Sequence, residues 1–131
     1  MNFKKFLPLL PALLLVGCSS MHTFTRMTPG MQPKNENNLY PVEVAFTSQQ
    51  QSLRWDSIHA YAITPNGQSF PLRPVPIVKN RWEGLLQVPP GQNVVKYRFK
   101  FEYLYNAFGK DPQRDSTLSP VYTLKIVDQP K

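Results

Sequence analysis

Period-two alternation of apolar and polar residues runs through most of this chain from Tyr40 onward. Val42, Val44 and Phe46 fall on one side of an extended segment, and Glu43, Ala45 and Thr47 fall on the other. That pattern predicts a half-buried strand. Ser48 to Gln51 reads as a polar turn. A second strand follows near Leu53 to Ile63, kinked or bulged at Asp56-Ser57 where the alternation changes phase. Pro65-Asn66-Gly67 marks a tight turn that tolerates positive φ, and a short strand around Gln68 to Leu72 completes a hairpin. Pro71 to Pro76 holds three prolines, each lacking a ladder donor. It predicts an edge segment or an extended crossover between two sheets, not a central strand. Arg81 to Val88 resumes strand character, and Pro89-Pro90-Gly91 forces a turn.

The clearest strand comes next. Val95, Tyr97, Phe99, Phe101, Tyr103 and Tyr105 alternate with Lys96, Arg98, Lys100 and Glu102, so one face is aromatic and the other charged. A helix would scatter these residues around its surface. Asn106 to Ser116 reads as a loop, and a last strand from about Pro120 to Val127 places Tyr122, Leu124 and Ile126 on one side. Six or seven short strands with proline and glycine turns predict an all-β, antiparallel sandwich. Burying the aromatic face from Val95 to Tyr105 contributes on the order of 10 kcal/mol before entropy.

Upstream of Tyr40 the pattern is different. Lys4 and Lys5 lead into the apolar run Phe6 to Val16, which has the length of a secretory h-region and is too short to span a bilayer. The run ends in Leu15-Val16-Gly17-Cys18-Ser19-Ser20, and Cys18 is the single cysteine of the 131 residues. This segment resembles the lipobox of bacterial lipoproteins. The resemblance implies recognition of Leu15, Val16 and Gly17 by a dedicated signal peptidase, a diacylglycerol on the Cys18 thiol and an N-acyl chain on its amine. Two or three acyl chains make membrane retention stable where one does not. Ser19 and Ser20 resemble the outer-membrane sorting pattern of Gram-negative lipoproteins, since no aspartate follows the cysteine. The expected organisation is a removed leader over 1–17, an acylated N-terminus and flexible tether over 18–39, and a sandwich domain over 40–131. A polar tether of roughly twenty residues would hold the domain about 25 Å from the membrane.

Within the domain, Ser52-Leu53-Arg54-Trp55, Val88-Pro89-Pro90-Gly91 before Tyr97-Arg98-Phe99, and Asn106-Ala107-Phe108-Gly109 before Leu118-Ser119-Pro120 resemble immunoglobulin-like sandwiches, particularly the fibronectin type III group. The resemblance implies a core tryptophan at Trp55 and a tyrosine corner at Tyr97, its hydroxyl bonded to backbone upstream. Starch- and glycogen-binding sandwiches show a similar progression.

Charge and chemistry narrow the function. The formal charge of +7 falls to +5 when Lys4 and Lys5 leave with the leader, a mild excess suited to lipid phosphates or acidic glycans. Nucleic acid is a poor candidate for an exported chain. With the sole thiol acylated, cysteine chemistry is closed. His22 and His59 are the only histidines, too few for a zinc site. Ser57, Asp56 and His59 are neighbours on one strand and do not provide triad geometry. Glu102 among Arg98 and Lys100 reads as a salt-bridging residue. The expectation is therefore a non-catalytic, lipid-anchored protein on the periplasmic face of the outer membrane, without a cofactor beyond its covalent lipid. It would bind an envelope protein or, alternatively, a glycan. The candidate surface comprises Tyr105, Phe108, Lys110 and Arg114 with Trp55 and Trp82, where Phe108 either meets a partner or folds back on the core.

Overall fold

The computed structural model describes residues 21–128. Cys18, the lipobox residues Leu15 to Gly17 and the sorting residues Ser19 and Ser20 lie outside that range.

The described chain is all-β, as the alternation predicts. Its strands are β1 (His22–Arg26), β2 (Met31–Pro33), β3 (Leu39–Ser48), β4 (Leu53–Ile63), β5 (Ser69–Pro74), β6 (Arg81–Gln87), β7 (Val94–Tyr105), β8 (Gln113–Leu118) and β9 (Tyr122–Val127). They pair in the order β1-β3-β6-β5-β4-β7-β9-β2, with β8 joined to the second half of β7. Every pairing is antiparallel except β2 with β9. The result is one curled, mixed sheet in the form of a half-barrel, with nine strands instead of six or seven.

The curl turns the apolar side of each strand inward. Tyr40, Val42, Val44 and Phe46 of β3 meet Trp82 and Leu86 of β6, the Val95–Tyr103 face of β7, and Leu124 and Ile126 of β9. The alternation thus identified the buried faces of β3, β7 and β9 correctly. The core indole is Trp82 at 6% exposure, whereas Trp55, which the family resemblance implies for the core, is 41% exposed. Tyr97 is buried, with the Arg26 and Thr28 side chains acting on its hydroxyl where the family resemblance implied a bond to upstream backbone.

Two segments expected to be irregular are strands. The tether expected over 18–39 is overturned from His22 on: β1 pairs with β3 from His22↔Ser48 to Arg26↔Val44, and β2 pairs with β9. β1 carries one large apolar residue, Phe24, which packs on Phe46 and Phe101. The rest of β1 is held by its ladder to β3 and by polar side chains, His22 and Arg26, that reach distant strands, which leaves no hydrophobic period to read. Likewise β8 occupies part of the expected loop from Asn106 to Ser116.

The proline segment is neither an edge nor a link between two separate sheets: β5 passes from β4 to β6 inside the one curled sheet. β5 pairs with β4 through Ser69–Leu72 and passes to β6 through Arg73 and Pro74. Gly84 of β6 permits this approach, since a Cβ there would lie 2.6 Å from Leu72 Cδ2 and 2.8 Å from the Pro71 carbonyl oxygen. The predicted irregularity in β4 is a register shift between Arg54 and His59. There Ser57 Oγ accepts the Leu104 N–H at 2.8 Å and donates to the Arg54 carbonyl, replacing a missing ladder bond.

The ends of the pairing path are tied together. The Arg26 guanidinium donates to the Thr123 carbonyl at 2.9 Å and lies 5.2 Å from the centre of the Tyr122 ring. Lys125 N–H donates to the Gly30 carbonyl, and Gln32 Nε2 donates to the Pro41 carbonyl. The registers then place the start of β1 at the same end as loops 49–52, 75–80 and 106–112. Turns 64–68 and 88–93 occupy the opposite end.

Candidate functional site at the loop-bearing end

The loop-bearing end holds the most exposed apolar side chains of the described residues. Loop 75–80 leaves β5 and returns as β6. Its base is closed by Val75 N–H to the Arg81 carbonyl and by Phe46 N–H to the Asn80 carbonyl, each 2.9 Å. At its tip Ile77 is 104% exposed with φ of 73°. A β-branched residue in the left-handed region costs about 1–3 kcal/mol and persists only where its surroundings impose it. Val78 beside it is also exposed.

Loop 106–112 is pinned by Asn106 N–H to the Ser52 carbonyl, and turns through Lys110 N–H to the Ala107 carbonyl. Gly109 takes the positive φ of 70° this turn requires. Phe108 projects from it at 105% exposure, so it does not fold back on the core. Met21, whose carbonyl accepts Gln49 N–H, is exposed at the same end. Trp55 lies partly open over Phe46, with ring centres 5.9 Å apart.

Beneath this rim the interior is aromatic. Phe46 stacks on Phe101 at 4.3 Å, and Trp82 meets Phe101 edge-on at 5.0 Å. His22 stacks on Phe46, and its Nε2 lies 3.0 Å from the Tyr103 hydroxyl. That hydroxyl donates to Gln50 Oε1 at 3.3 Å, so the Nε2–H donates to the Tyr103 oxygen. His22 Nδ1 is buried without a partner, consistent with this tautomer. Burial lowers the His22 pKa below its ordinary 6.5, and nearby Asp115 opposes that shift. Burial, reinforced by Asp115, pushes the Tyr103 phenol up to about 12. At neutral pH the pair is an uncharged hydrogen-bonded plug.

The expected surface residues divide among these places. Phe108 and Lys110 share the loop tip. Arg114 lies on β8 opposite Leu104 and lines a shallow recess of about 300 Å³ with Ser57, His59 and Glu102, away from that tip. Tyr105 is half-buried between Leu53 and Gln113 in the ladder. Trp82 is a core residue and offers no platform. Ile77 and Val78 escaped the sequence reading because the surrounding prolines directed attention to backbone pairing, although the apolar run Val75-Pro76-Ile77-Val78 was the available signal.

The acidic side chains on the outer face are mostly paired. Glu43 pairs with Arg81, Glu83 with Arg73 at 3.2 Å, and Glu102 with Lys100 at 3.5 Å. No group of three or more histidine, cysteine or acidic residues that could hold a metal ion occurs among the described residues.

No protein-family model and no curated protein matches this chain. Among solved structures, it is similar to a DUF4785 family protein from Legionella pneumophila, at 13% identity and a TM-score of 0.41. That similarity covers 83% of this chain and 29% of the other.

Proposed function

We propose that the chain is a lipid-anchored, non-catalytic lipoprotein acting as a protein-interaction or assembly module on the periplasmic face of an outer membrane. The observation that carries this is Cys18, the single sulfur nucleophile, placed directly after Leu15-Val16-Gly17 at the end of the apolar leader. Ser19 and Ser20 support outer-membrane sorting. The non-catalytic reading is supported by commitment of the polar groups. Ser57 is spent on the β4 bulge, and Glu43 and Glu83 are in ion pairs.

The immunoglobulin-like reading of the fold is supported by the order of pairing. The run β1-β3-β6 packs opposite β4-β7-β9, and the early strand β2 lies parallel to the last. A partner contact is supported at β8, which pairs with β7 alone among the described strands and is exposed over most of its length. Such an edge accepts an added strand, and Arg114 supplies a charge that orients it.

Replacing Cys18 by Ser should leave uncleaved precursor without acyl label; normal processing of that variant would contradict the anchor. Pull-down from solubilised envelopes should recover a stoichiometric protein partner. The glycan reading is favoured by one observation, the partly open indole of Trp55. Recovery of polysaccharide or peptidoglycan fragments alone, lost in Trp55→Ala, would establish that alternative.

A further inference from the structure

We infer that the loop-bearing end of the domain lies directly on the lipid surface, with Ile77 and Phe108 inserted at the bilayer interface. The inference rests on the Cys18 anchor proposed above and replaces a stand-off with a seated domain.

Chain length sets the first constraint. β1 begins at His22, four residues beyond Cys18. Even fully extended, four residues span at most about 14 Å. Pairing of His22 with Ser48 fixes the start of β1 at the end that carries loops 75–80 and 106–112. Acyl chains on Cys18 therefore bring this end, and not its opposite, to the membrane.

The chemistry of the two ends agrees. Ile77 and Phe108 project wholly into solvent from turns whose bases are pinned by backbone hydrogen bonds. Ile77 is held there in an unfavourable backbone conformation for a β-branched residue. The turns at the opposite end present Pro65-Asn66-Gly67 and Pro90-Gly91-Gln92-Asn93, with the partly exposed Val94 and Val127 beside them and no fully exposed apolar tip. Lys79 and Lys110 flank the two apolar tips, with Asp111 next to Lys110. Ile77 and Phe108, both fully exposed, carry the contact, so it should persist in high salt and on membranes poor in anionic lipid.

The test uses the processed, acylated protein in vesicles of phosphatidylethanolamine and phosphatidylglycerol. Ile77→Cys, Phe108→Cys and Asn66→Cys variants each offer one thiol for a solvatochromic label, because the native sulfur is occupied. Labels at 77 and 108 should shift to the blue and be quenched by brominated lipid, and the label at 66 should do neither. Aqueous spectra at 77 and 108 in acylated protein, or shielding that appears only when an envelope protein is added, would overturn the inference. Mass measurement separates the causes: intact acyl chains with water-exposed labels defeat the seating alone, whereas an unmodified Cys18 defeats the anchor and the seating with it. The I77D/F108D double variant should stay vesicle-bound while amide exchange across 75–80 and 106–112 rises to that of vesicle-free protein. Unchanged exchange counts against the seating.

Discussion

Two indoles with the same side chain have different work here. Trp82 packs edge-on in the core against the stacked Phe46 and Phe101, whereas Trp55 covers Phe46 from the solvent side. Trp82→Ala should cost about 3–5 kcal/mol in urea unfolding, through lost burial and the cavity left behind. Trp55→Ala should cost well under half of that, and equal losses would contradict the assigned packing. The His22–Tyr103 pair predicts a stability plateau between two limits. His22 is harder to protonate in the fold than in the unfolded chain, so stability is full above 6.5 and declines as pH falls below it. Asp115 moderates that decline. Tyr103 keeps its proton to about 12 in the fold, so stability also falls as pH rises above 10 toward 12. Urea midpoints measured against pH should show both flanks, and His22→Gln should flatten the acidic one.

At the scale of elements, the crossover from β4 to β6 depends on an absent side chain. Gly84→Ala would force a methyl into Leu72 and the Pro71 carbonyl, separating β5 from β6. A loss of about 1–3 kcal/mol is expected from such overpacking, read from the thermal midpoint. Long strands were legible because each carries several apolar residues on one face: β3, β7 and β9 follow the alternation closely. The bulge in β4 was legible from the phase change at Asp56-Ser57. By contrast, β1, β2 and β8 are held chiefly by ladder bonds to partners distant in sequence, and no local period records a distant partner. The candidate surface was half legible. Phe108 and Trp55 stand in the open, but burial of Trp82 depends on how β6 is registered against β3, which no spacing within β6 reveals.

For the whole molecule, curvature brings β1, the first strand of the pairing path, against β9, the strand next to its other end. Arg26 bridges them through Thr123 and the Tyr122 ring. Arg26→Ala should lower stability by about 1–3 kcal/mol by removing a charge-assisted bond, with faster amide exchange in β1 and β9 than in β4 and β7. Uniform acceleration across all strands would argue against this local clasp.

The parallel ladder between β2 and β9 joins Met31 to Lys125 and Pro33 to Val127. Residues 31–33 must therefore wait for residues 125–127 before they can pair. A chain halted before Tyr122 can pair β1 with β3 and assemble its middle, yet β2 stays unzipped. Losing β9 would then register as protease sensitivity at residues 31–33.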